Sequence, residues 1–143
     1  MPIPAPEPGL VISYTYLWDR EAQDGREEGR KTRPCVIALA IERQPDDETL
    51  VTVLPITHQQ SDNPAVAAEI PLAVKRHLGL DDARSWVIVS EGDQFVWPGY
   101  DLRKAPGSER YDFGFLPPRL FQQILDAFRA WHRSNKGTLV VRD

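Results

Sequence analysis

Apolar and polar positions alternate in short blocks along most of the chain and settle into a helical period only near its end. Residues 9–18, GLVISYTYLW, are rich in β-branched and aromatic side chains that suit a pleated, half-buried surface, so they read as a first strand. Residues 19–32 are polar, hold two glycines and show no apolar period, which makes them a loop between strands. A second strand follows in CVIALAIE, 35–42, with Pro34 at its start because proline has no N–H for a ladder. QPDDE is a turn, and TLVTVLPITH is a third strand ending near Thr57, so an antiparallel hairpin is the simplest connection. Residues 67–70 read as a short strand, and PLAVKRHLGL as a short helix that opens on proline and stops at Gly79. SWVIVSEGDQFVW is one strand, or two separated by a bend at Gly92, and PGYDLRKAPGSER is a polar connection. In LPPRLFQQILDAFRAWHR the residues Leu120, Phe121, Ile124, Leu125, Phe128 and Trp131 form one helical stripe, which must pack on the sheet. Gly137 ends that helix, and TLVV adds an edge strand or trails as a tail. The pattern predicts a mainly β, barrel-like fold of mostly antiparallel strands, with helical additions and a C-terminal helix packed on it.

Composition narrows this picture. A chain of 143 residues suits a single domain, here 9–143 behind an extended lead-in over 1–8 whose four prolines favour an open backbone. No apolar run reaches the roughly 18 residues of a membrane helix, and the N-terminus lacks a signal core, so a cytoplasmic protein without a membrane partner is expected. The lone cysteine, Cys35, excludes an internal disulfide and sits in an apolar run, which makes it a core residue. A net charge of −4 argues against coating nucleic acid by bulk electrostatics and leaves room only for a local basic site.

Such a site has candidates. Arg33 stands just before the second strand, where Pro34 and the sheet would hold its backbone and leave a rigid fork of donors for a phosphate or carboxylate. An ion pair with Glu28 at a strand end is the plainer alternative. Thr57 ends the third strand, and antiparallel pairing would bring its hydroxyl near Arg33; otherwise it caps a turn. His58 beside it either faces solvent or joins the site. Arg26, Arg30 and Lys31 are loop cations able to meet phosphates. Phe95 and Trp97 alternate along a strand, so one face of that ribbon is available for stacking bases, whereas Trp86 belongs to the core. His77 and His132 lack a second ligand at metal spacing, and no phosphate loop, dinucleotide fingerprint, zinc-protease or hydrolase motif occurs, so neither a metal nor a cofactor is expected.

Taken in order, EEGRKTRPCVIAL, VTVLPITH, SWVIVSEGDQF and the helix after GFLPPRLFQQIL resemble the MazF/PemK-type toxins of type II toxin–antitoxin systems. The residues that carry the resemblance are Glu28 and Gly29 ahead of Arg33-Pro34, and Pro55-x-Thr57 at the end of the next strand. The resemblance covers roughly 9–132 and implies an SH3-like barrel that forms a homodimer. It further implies a metal-independent endoribonuclease that cuts single-stranded RNA to 2′,3′-cyclic phosphate and 5′-hydroxyl ends and is neutralised by an antitoxin protein. Carried onto this chain, Arg33 would stabilise the pentacoordinate phosphate, Thr57 would hold a phosphate oxygen, and Glu28 would act as base or orient Arg33. Arg26, Arg30, Lys31, His58, Phe95 and Trp97 would bind the RNA. The alternative is a non-catalytic barrel that binds an antitoxin or a gyrase-like target, suggested by the acidic balance and by Asp93 within EGDQFVW.

Overall fold

A computed structural model describes residues 3–25, 31–43, 46–135 and 137–142. In chain order these hold β1 (Leu10–Tyr16), α1 (Asp19–Gln23), β2 (Lys31–Arg43), β3 (Glu48–Thr57), a 3₁₀ turn (Pro64–Val66), β4 (Ala67–Glu69), α2 (Leu72–Leu78), β5 (Trp86–Ile88), β6 (Glu91–Val96), β7 (Asp112–Phe115), α3 (Pro118–Asn135) and β8 (Thr138–Val141). One sheet runs β4-β5-β3-β2-β1-β7, and every pairing along it is antiparallel. One edge of β3 is shared: its first half pairs with β6 and its last two residues with β5. β8 lies parallel to β6, turning the possible tail into an edge strand. The mainly β architecture with a C-terminal helix on the sheet is as the pattern predicts.

Both faces of the sheet are covered, and the alternation of side chains decides which residue meets which core. Val11, Val36, Leu54 and Ile56 point to one side, where Ile124, Leu125 and Phe128 of α3 and Leu78 of α2 close over them. Ile12, Tyr14, Cys35, Ile37, Val51 and Val53 point to the other, where Phe95 stacks on Tyr14 with ring centroids 4.8 Å apart. Cys35 and Trp86 are buried, as expected of core residues. A bulge between Ile37 and Leu39 shifts the β2–β3 register, a device that bends a strand and increases its twist.

Four local features differ from the reading of the pattern. The loop after β1 contains α1, a single helical turn of polar residues. β2 begins at Lys31, four residues before Cys35, because pairing with β1 continues through Pro34 to Lys31↔Tyr16. The polar connection after Trp97 ends in β7, which pairs with β1. The break between β5 and β6 falls at Val89 and Ser90, and Gly92 lies inside β6. No helix among the described residues is long and apolar enough to cross a membrane.

Candidate active site

The β2–β3 ladder stops at Cys35↔Pro55, and the physical reason is the next residue of β2. Pro34 has no N–H to give a further rung. Extending the register of Val36↔Leu54 and Cys35↔Pro55 by two residues would set Arg33 across from Thr57, but the ladder ends before that rung, and Thr57 is held on its other edge by Trp86 of β5. The two strands therefore part at this end, while β1 keeps Arg33 in place opposite Tyr14. The opening is a groove of about 290 Å³ whose walls include Trp18, Arg20, Arg33, Thr57, Gln59 and Ser90. Arg33 and Thr57 thus face one cleft.

Within it the Arg33 guanidinium carbon lies 5.1 Å from the centre of the Trp18 ring, and that of Arg20 lies 5.0 Å from the same ring. Cation–π contact of this kind holds a guanidinium flat and leaves its edge free to donate. Arg33 Nη1 makes one long contact, 3.5 Å, to the carbonyl of Ile56, and its buried Nε has no partner among the described residues. Thr57 Oγ1 accepts from the N–H of Gln59 at 3.2 Å, so its own proton remains to donate into the groove. Two further hollows meet at Arg33. One of about 330 Å³ is lined by Lys31, Arg20, Glu21, Asp24, Tyr16 and Trp18, which brings Lys31 beside the site. The other, about 480 Å³, is bounded by Ser13, Pro34, Leu80, Asp81, Pro106 and Phe113. An anionic chain crossing this end of the molecule would meet three cations, Arg20, Lys31 and Arg33, on a protein whose net charge is −4.

Behind the groove lies a buried ionic cluster. Asp93 is fully buried and bonds Arg142 Nη1 at 3.2 Å, and Arg142 Nη2 reaches Asp101. Burial pushes the Asp93 carboxyl up to about 7, against the N–H of Leu17 and the Arg142 charge, which favour its ionised form. Burial likewise raises Glu91, against its bonds from the Asp19 amide and the Tyr16 hydroxyl.

The remaining predicted residues fall in three places. Glu28, Arg26 and Arg30, with Gly29, lie outside the described residues. His58 sits beside Thr57 but turns to the other side of it: Nδ1 meets Ser85 Oγ at 3.1 Å and the Arg84 carbonyl at 3.0 Å, and Nε2 meets Asp81 at 2.9 Å. There it borders a small cavity with the buried Lys75, whose Nζ bonds Asp81 and Ser85 at 2.6 and 2.7 Å and also the Ala83 carbonyl. Phe95 is a correction. It is 2% exposed, stacked between Tyr14 and Trp97, and has no face to offer a base. Trp97 is half-buried, with its indole N–H given to the Pro4 carbonyl at 3.1 Å, and it is absent from the groove walls. Asp93, the residue of EGDQFVW that suggested the non-catalytic alternative, is buried. Trp18 and Arg20 are the groove residues that sequence reasoning missed; the signal was an aromatic residue at the strand's end followed within two positions by a cation.

Fold and groove together define a mainly β domain with a braced guanidinium and a hydroxyl donor at one strand end. No family model matches the chain, and no curated protein matches it in sequence.

Proposed function

We propose that the protein is a toxin-like endoribonuclease that cleaves single-stranded RNA without a metal ion. The observation that carries this reading is the convergence of Arg33 and Thr57 on one groove. A phosphodiester seated there would receive the guanidinium fork and the Thr57 hydroxyl on its non-bridging oxygens. Charge on those oxygens grows as the 2′-hydroxyl attacks, so donors already in place stabilise the transition state more than the ground state. The 2′-oxygen–phosphorus bond forms as the bond to the 5′-oxygen breaks. The 2′-hydroxyl proton leaves to a base, for which Glu28 is the candidate, and the 5′-oxygen takes a proton from solvent water as it departs, giving a 2′,3′-cyclic phosphate and a 5′-hydroxyl. The resemblance in residue order adds a homodimer, a neutralising antitoxin protein and a cytoplasmic setting to the proposal.

Incubation of a long single-stranded RNA with the protein in EDTA, beside Arg33→Ala, tests the reading. Cleavage by the wild type, cyclic-phosphate ends on the fragments and a loss of about 10²–10³-fold in the variant are expected. RNA left intact by the wild type would sink it.

A further inference from the structure

Three consecutive backbone N–H groups at the end of β1 each find a carboxylate. Leu17 N donates to Asp93 Oδ2 at 2.9 Å, Trp18 N to Glu21 Oε1 at 3.2 Å, and Asp19 N to Glu91 Oε2 at 2.9 Å. Glu91 and Asp93 are two apart on β6 and so project from one face of it, and the amides they take are the two that flank Trp18. Glu91 Oε2 also accepts the Tyr16 hydroxyl at 3.0 Å. Behind Asp93, Arg142 follows β8 and bonds the Thr15 carbonyl at 3.4 Å as well as the carboxylate, so the end of the chain is tied to the same corner.

This corner matters because Arg33 has few supports of its own. Among the described residues its guanidinium is aimed by the Trp18 ring and by one long contact to the Ile56 carbonyl, and its Nε has no partner there. A shift of Trp18 would leave the fork free to swing. We propose that Glu91 and Asp93 are positioning residues for the Arg33 groove: by holding the backbone on both sides of Trp18 they set the direction of the Arg33 guanidinium, and Arg142 couples the last strand to that geometry. The proposal rests on the nuclease reading only in the activity half of its test.

Glu91→Leu removes the acceptor of the Asp19 amide, and Glu91→Gln keeps an oxygen for it. In ¹⁵N-labelled protein the Trp18 indole N–H signal, assigned by its absence in Trp18→Phe, should shift or broaden in Glu91→Leu. The signals of Trp86 and Trp131 should stay in place, and Glu91→Gln should restore the wild-type position of Trp18. In RNA cleavage, Glu91→Leu should lower kcat by about tenfold to a hundredfold with KM within about threefold, and Glu91→Gln should recover most of the loss. An unmoved Trp18 signal in Glu91→Leu, or a Glu91→Gln variant as disturbed as Glu91→Leu, would overturn the positioning role. If the wild type cuts no RNA, the nuclease reading falls and the indole signals still decide this proposal. Should Glu91→Leu fail to fold, Glu91→Met, which matches the length of Glu, takes its place.

Discussion

Thr57 isolates one hydroxyl. Thr57→Val keeps shape and β-branching and removes the hydroxyl, both the proton free for the groove and the oxygen that accepts from the Gln59 amide. Cleavage should fall about tenfold to a hundredfold, while stability changes by less than about 1 kcal/mol, because the amide it abandons belongs to an exposed residue that water can satisfy. Single-turnover kinetics and thermal unfolding of the same sample read both quantities. Asp93 makes the opposite kind of test, one of stability. Its carboxyl titrates near 7 when folded and near its ordinary value of 3.8 when unfolded. Between those values the folded chain holds the extra proton, so its stability falls as pH rises from about 4 to about 7, and the contribution is fully present only below about pH 4. The rise caps the effect at about 4 kcal/mol. Glu91 adds in the same direction. Asp93→Asn should flatten this part of the curve, and denaturant unfolding across the window compares the two proteins; parallel curves would show that the carboxyl is not held protonated.

At the level of elements, two glycines separate backbone conformation from space. Gly79 caps α2 with φ at 73° and has nothing within 4 Å of an added Cβ, so Gly79→Ala should cost only the left-handed strain, about 1 kcal/mol. Gly92 has no such φ, but a Cβ there would stand 2.9 Å from the Val53 carbonyl on the neighbouring strand, so Gly92→Ala must push β6 from β3 and should cost about 2–3 kcal/mol. Denaturant midpoints of the two variants give the order, and equal losses would refute the distinction. The same strands show what was legible in the sequence. The β2–β3 hairpin and its open end could be read because Pro34, the acidic turn and the ending at Thr57 fix a register by local chemistry. Phe95 of β6 was misread because alternation implies a solvated face only when one side of a sheet is covered, and here both sides are. α1 and β7 were missed because the five residues of DREAQ and the four of DFGF are too short for a period to emerge. Arg20 was missed because its contact with the Trp18 ring depends on α1 starting at Asp19, and a five-residue helix leaves no period in the sequence.

Taken whole, the molecule is acidic, with 21 acidic side chains against 17 cations, yet it gathers Arg20, Lys31 and Arg33 around one end. RNA association should therefore be local in its electrostatics, and salt dependence measures how local. Each phosphate neutralised on a single strand contributes about −0.7 to the slope of log K against log salt, so three cations give a slope of about −2. A protein that coats RNA would be steeper. Wild-type protein on a 2′-O-methylated strand is the background to measure, because it keeps every cation and the strand has no 2′-hydroxyl with which to be cut, and anisotropy of the labelled strand over a salt series gives the slope. Arg20→Ala, Lys31→Ala and Arg33→Ala, each made in that background, should reduce its magnitude by about 0.7. Two copies presenting their grooves to one strand would double the slope to about −4 and double the effect of each substitution, so the same series reports on the proposed dimer. A slope that none of the three substitutions alters would mean that RNA binds elsewhere on the surface, and the groove would lose its claim to the substrate.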